Sequence, residues 1–161
     1  MQVEMRIKGL MLDPVTNMPI IILSDLEGQR VLPIWVGFFE ANAIALQMEN
    51  VTTPRPMTHD LLKNVILGLN ATVKKIIVNN LWDNTFYAMI YLDMGGETVA
   101  IDSRPSDAIA LALRMKSPIF VDEEVIKKAK SVENSRDMTD SESLQRWLEN
   151  LRPEELGKYK M

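Results

Sequence analysis

The stretch Glu97-Thr98-Val99-Ala100-Ile101-Asp102-Ser103-Arg104-Pro105-Ser106-Asp107-Ala108-Ile109-Ala110-Leu111 runs from strand grammar into helix grammar within a few residues. Glu97 to Ile101 reads as a strand. The pattern then shifts to helical spacing, with Pro105 preorganised for a first turn and Asp107 placed to complement the helix dipole. Ser103 or Arg104 occupies the cap region. Capping alone does not require Asp102 and Arg104 as well. The free N–H groups of such a helix start are suited to hold a phosphate or to orient an acid, so this junction is the first candidate site.

Working outward, Val3, Met5 and Ile7 alternate with Glu4, Arg6 and Lys8, as in a strand with one wet face. Asp13-Pro14-Val15-Thr16-Asn17 is a turn. Met18 to Leu23 is a strand buried on both faces, and Val31 to Val36 is a third, whose Pro33 predicts an edge position or a bulge. Together these predict an antiparallel meander. Phe38 to Asn50 reads as a helix with few polar positions, buried or shared with another subunit. Pro54-Arg55-Pro56 forces an extended linker, after which Thr58 is expected to cap a helix from His59 to about Leu69. Val73–Val78 and Phe86–Leu92 read as a hairpin closed by Asp83-Asn84. Gly95-Gly96 turns the chain into the strand quoted above. After the helix from Pro105 to about Met115 come a short strand, Pro118 to Val121, and a helix with an acidic start. The expected class is α+β: a mixed, largely antiparallel sheet of about six to seven strands with packed helices. Residues 1–130 form one domain. Residues 131–161 form a helical appendage whose Leu144, Trp147, Leu148 and Leu151 fall at helical spacing.

The chain has 161 residues, a net charge of −4, no cysteine and a single histidine. No global basic field gathers nucleic acid, and disulfides, thiolate zinc sites and multi-histidine metal sites within one chain are excluded. No apolar run approaches the roughly 20 residues needed to cross a bilayer, and the N-terminus has no signal-peptide pattern. A cytoplasmic protein without membrane contact is expected.

Few groups are equipped for chemistry. Glu40 opens the first long helix, where it either serves the dipole or takes part in a site. Arg55, fixed between prolines, either grips a phosphate or is a solvated loop residue. His59 is the one side chain whose ordinary pKa lies near neutrality, and its neighbour Asp60 points about 100° away on a helix. Asp102 and Asp107 flank Arg104. The two carboxylates are oxygen ligands of the kind that Mg²⁺ or Mn²⁺ prefers, whereas an Asp102–Arg104 ion pair would be architectural. Ser103 and Ser106 lack a nucleophile-elbow frame, and no glycine-rich phosphate loop is present.

Leu32-Pro33-Ile34-Trp35-Val36-Gly37 with Glu40-Ala41, Arg55-Pro56-Met57-Thr58-His59-Asp60-Leu61-Leu62, Asp83-Asn84-Thr85-Phe86-Tyr87-Ala88, Asp102 to Leu111, and Pro118-Ile119-Phe120-Val121 together resemble the bifunctional nuclease domain family. The likeness runs collinearly over about residues 1–130, and the tail is similar to that of bacterial single-domain members. The resemblance implies a self-associating α+β domain with activity on DNA and RNA, an activity attached mainly to plant members. Two functions are therefore expected alternatives. One is a metal-assisted nuclease that binds nucleic acid transiently. In it Glu40, His59, Asp60, Asp102 and Asp107 serve catalysis, Asp102 and Asp107 hold Mg²⁺ or Mn²⁺, and Arg55, Arg104, Ser103 and Ser106 bind substrate phosphate. The other is a non-catalytic homo-oligomeric interaction or regulatory module whose polar motifs only cap helices. Convergence of the polar residues on one cleft distinguishes them.

Overall fold

The computed structural model describes residues 1–135 of the chain. Seven strands and four helices follow one another as β1 (Gln2–Leu12), β2 (Pro19–Asp25), β3 (Val31–Trp35), α1 (Phe38–Met48), α2 (Thr58–Gly68), β4 (Ala71–Trp82), β5 (Thr85–Met94), β6 (Glu97–Ser103), α3 (Pro105–Met115), β7 (Ile119–Asp122) and α4 (Glu123–Ser135). The α+β class is as expected. The appendage expected over residues 131–161 lies, beyond the end of α4, outside the described residues.

All seven strands form one mixed sheet in the order β3-β2-β1-β7-β4-β5-β6. Every pairing is antiparallel except β4 with β7. The meander β1-β2-β3 and the run β4-β5-β6 are each built from neighbours in sequence, joined by tight connections. Asp83 and Asn84 both take positive φ (51° and 58°), as do Gly95 and Gly96 (61° and 92°). Two consecutive left-handed residues give a two-residue turn whose twist matches that of the flanking strands. The four-residue β7 lies between the two halves and joins them.

Pro33 stands on β3, an edge strand, where its missing N–H leaves no ladder bond unmade. β2 is buried on both faces. Its Ile21 and Leu23 enter the main core, and Ile20 and Ile22 join Met11 and Val31 in a smaller cluster. α3 packs between α1 and α2 and onto β4 and β5. Its Ala108, Ile109, Ala110 and Leu111 are wholly buried, and the small alanines allow close approach of the flanking helices. Thr58 is the first residue of α2 and not its cap. The cap is Met57, whose N–H donates to Asp60 Oδ2 at 3.0 Å. The apolar α1 is only partly covered: Ala41, Ile44 and Ala45 are buried, whereas Phe39 is 89% exposed. No helix among the described residues is long and apolar enough to cross a membrane.

Candidate functional site

Three helices bring four polar side chains to one place. α1 starts after Gly37, and its first-turn Glu40 turns back over that glycine. A Cβ at position 37 would collide with Glu40 Oε2, so the bare backbone makes room for the carboxylate. Arg104 is the last residue before α3, in extended conformation, with no side chain capping the helix. Its Nη2 donates to Glu40 Oε1 at 2.7 Å and lies 2.8 Å from Asp107 Oδ2, while its Nε donates to the same Oδ2 at 3.0 Å. The other Asp107 oxygen, Oδ1, lies 2.9 Å from His59 Nε2 on α2. The hydrogen bond from Arg104 to Glu40, and then those to Asp107, hold the guanidinium above its ordinary pKa.

A carboxylate accepts and does not donate. Nε2 of His59 therefore carries the hydrogen toward Asp107, and Nδ1 of the neutral ring is left as acceptor. No hydrogen bond among the described residues reaches Nδ1, and no buried side-chain nitrogen lacks a partner. Nδ1 is thus the open atom of a ring whose side chain is only 11% exposed. Arg104 is 64% exposed and Glu40 16%, so the guanidinium faces solvent over a half-buried acidic floor. These groups edge a cleft of about 940 Å³ whose remaining wall is mainly apolar, including Phe39, Leu46, Leu61, Leu62, Val65 and Ile101.

Beneath this cluster lies a second ion pair that the motif reading missed. Arg114, 3% exposed, donates from Nε to Asp60 Oδ1 at 2.7 Å. Its Nη1 donates to the Ala110 carbonyl and its Nη2 to that of Ala43, both at 2.9 Å. Each of the three guanidinium nitrogens donates one hydrogen bond, and α1, α2 and α3 are tied through one side chain. Asp60 is held below the ordinary carboxylate range, first by the Met57 N–H and then, against its own burial, by Arg114. Its carboxylate is committed to this clamp, which makes it a positioning group. Two adjacent residues of α2 thus reach two points of α3: His59 goes to Asp107 and Asp60 to Arg114, two helical turns apart. That seven-residue spacing, with an arginine on the buried stripe of α3, was the available signal.

The remaining candidates stand outside this hydrogen-bonded cluster. Asp102 is exposed, and its register partner on β5 is Met89, whereas Ile101 pairs with the buried Ile90 and Ser103 with the buried Ala88. Strand alternation therefore turns the Asp102 side chain to the other sheet face, although the residue borders the cleft. Ser103 lines the cleft and donates from Oγ to the Arg104 carbonyl at 2.9 Å. Ser106 is buried in the first turn of α3, and Arg55 is exposed on the linker, outside the cleft lining. The expected Asp102–Asp107 metal pair does not fit this arrangement. Among the described residues no three His, Asp or Glu side chains are grouped so as to hold a metal ion, and both Asp107 oxygens are taken by Arg104 and His59. The expected Asp102–Arg104 pair is likewise absent, since Arg104 turns to Glu40 and Asp107.

The family model of the bifunctional nuclease domain matches residues 21–134. An uncharacterized protein of Mycobacterium tuberculosis is 40% identical over 126 residues, which cover 78% of this chain and 75% of that one. Bifunctional nuclease 1 of Oryza sativa is 26% identical over 116 residues, or 70% of this chain and 35% of the plant protein. Bifunctional nuclease 1 of Arabidopsis thaliana is 32% identical over 107 residues, or 64% and 33%. The matched region is thus about a third of each plant protein.

Proposed function

The chain belongs to the bifunctional nuclease domain family, and from this premise we propose that it hydrolyses phosphodiester bonds in nucleic acid at the Glu40–Arg104–Asp107–His59 cluster. The observation that carries the reading is the contact of His59 Nε2 with Asp107 in the wall of the cleft, beside the exposed guanidinium of Arg104. Asp107 fixes the ring so that Nδ1 serves as the base. Nδ1 takes a proton from water, the water oxygen attacks phosphorus, and the ester P–O bond breaks with its electron pair on the leaving oxygen, which receives that same proton back from Nδ1. Arg104 neutralises the phosphoryl oxygens as their charge grows. It leaves Glu40 to do so, and the uncapped start of α3 supplies further N–H donors beside it. No step is assigned to a metal ion.

Two carboxylates against one guanidinium leave the cluster acidic while His59 is neutral, and the chain as a whole carries −4. Substrate binding is accordingly transient and salt-sensitive. The reading extends to assembly as a homo-oligomer, supported by the exposed Phe39, Leu61, Val65 and Ile101 around the cleft.

The test is cleavage of single-stranded DNA, duplex DNA and RNA by the purified chain, with Mg²⁺, with Mn²⁺ and with EDTA, beside folded His59→Gln and Asp107→Asn variants. Cleavage lost in both variants supports the reading, and cleavage that survives in both removes it. The competing reading is a non-catalytic interaction module. It is favoured by the mutual pairing of the four polar side chains, and absence of cleavage under every condition selects it.

A further inference from the structure

β6 is the second edge of the sheet, opposite β3. The two edges differ. β3 carries Pro33, which spoils a strand as a template for pairing, whereas β6 has neither proline nor lysine along Glu97-Thr98-Val99-Ala100-Ile101-Asp102-Ser103. All its residues but Ser103 are exposed, Val99 and Ile101 included.

Its free hydrogen-bonding groups follow from the turn. The two-residue Gly95-Gly96 connection makes Met94 and Glu97 a hydrogen-bonded pair. By alternation along the antiparallel ladder, Val99, Ile101 and Ser103 also direct N–H and C=O to β5. Thr98, Ala100 and Asp102 direct theirs outward, where no backbone group of the described residues meets them. We propose that this row is an interface between two copies of the chain, paired antiparallel edge to edge about a two-fold axis at Ala100. The proposal rests on the homo-oligomer part of the reading above and is independent of catalysis.

The strand is self-complementary about that point. Ala100 meets Ala100, and Thr98 meets Asp102 of the second copy. The three outward residues of each strand then exchange about six backbone hydrogen bonds. Val99 falls opposite Ile101 at a non-hydrogen-bonded position, where side chains lie closest, and Glu97 falls opposite Ser103. No like charges face each other. Charge complementarity is specific as well: Lys74 Nζ donates to Thr98 Oγ1 at 2.8 Å, so Asp102 of the second copy arrives beside an ammonium group, twice per dimer. This gives the outward-turned Asp102 a partner that the described residues of its own chain do not supply. Because the axis is normal to the sheet, both helical layers lie on one side and the two clefts open next to each other.

The experiment is the molar mass of the intact chain by light scattering and sedimentation across the micromolar range. It is applied to the wild type, Ala100→Pro, Lys74→Glu, and the exchanged pair Lys74→Glu/Asp102→Lys. Position 100 directs its N–H outward, so proline there leaves the β5 ladder intact, and far-UV circular dichroism checks this. A wild-type dimer is expected. Its mass should halve in Ala100→Pro, its Kd should rise at least about tenfold in Lys74→Glu, and it should recover in the exchanged pair. An oligomer indifferent to both single variants overturns this interface and leaves assembly standing. A wild type that stays monomeric overturns both.

Discussion

His59 and Asp107, 48 residues apart in the chain, meet through Nε2 and Oδ1 at 2.9 Å. The contact crosses from α2 to α3 and sets the tautomer of the chain's one histidine. If that ring is the base, its value depends on Asp107 remaining an acceptor. Asp107→Asn presents an amide that can donate to Nε2, which reverses the tautomer and turns the acceptor nitrogen away from the cleft. Cleavage should fall about 10²–10⁴-fold, as for removal of a general base, with His59→Gln falling as far. Single-turnover rates on a labelled oligonucleotide check this. Asp102→Asn, on the far sheet face, should cost less than about threefold, and a larger loss would restore Asp102 to the site.

Gly37→Ala should act through Glu40. The glycine's φ of −72° suits any residue, so the backbone is not strained, but the new Cβ displaces the Glu40 carboxylate from its place by Arg104. Because only the end of a side chain must move, stability should change by less than about 1 kcal/mol. The kinetic effect should match that of Glu40→Gln, and steady-state parameters of both variants, measured side by side, test the equivalence.

The Asp60–Arg114 clamp predicts a stability effect instead. Arg114→Leu leaves the Asp60 carboxylate without its guanidinium partner and removes the side-chain donor from the Ala43 and Ala110 carbonyls. Breaking a buried pair on one side costs about 3–5 kcal/mol, and the partial exposure of Asp60 lowers the expectation to about 2–4 kcal/mol. Asp60→Asn should cost less, since the amide oxygen still accepts from Arg114. Urea unfolding with a double-mutant cycle measures the coupling.

Acid should release the same clamp. Asp60 is depressed by the Met57 N–H and by Arg114, and Asp25 by the N–H groups of Arg30 and Gln29 and the Arg30 side chain. A depressed carboxylate stabilises the fold fully above its unfolded value, near pH 3.9. That contribution is lost as pH falls through the lower folded value. Unfolding free energy should therefore decline below about pH 4, and Asp60→Asn should flatten part of that decline relative to wild type.

Much of this was legible in the residues. Alternation, turn chemistry and the Pro105 start placed all seven strands, and α3 runs over the span expected, Pro105–Met115. Glu40, His59, Arg104 and Asp107 were named from residue type and position, and the structure brings these four together. Asp102 was grouped with them because it is near Arg104 in sequence, but parity along a strand decides its side. The alternation of Val99 and Ile101 with Thr98 and Asp102 already carried that information. Strand order was not legible, because nothing local in Ile119–Asp122 says that it pairs with β1 on one side and β4 on the other. Arg114 was not legible, because its partners Asp60 and Ala43 come from two other helices.

The position of β7 also orders events during synthesis. The meander and the β4-β5-β6 run can each form as the nascent chain emerges, since their pairings are between neighbours. They share no ladder with each other. Only when residues 119–122 leave the ribosome can four residues bind β1 and β4 together, and until then both inner edges are open to any strand that passes. The late arrival of this short strand makes the open seam, and not the helical layer, the vulnerable part of the newborn protein.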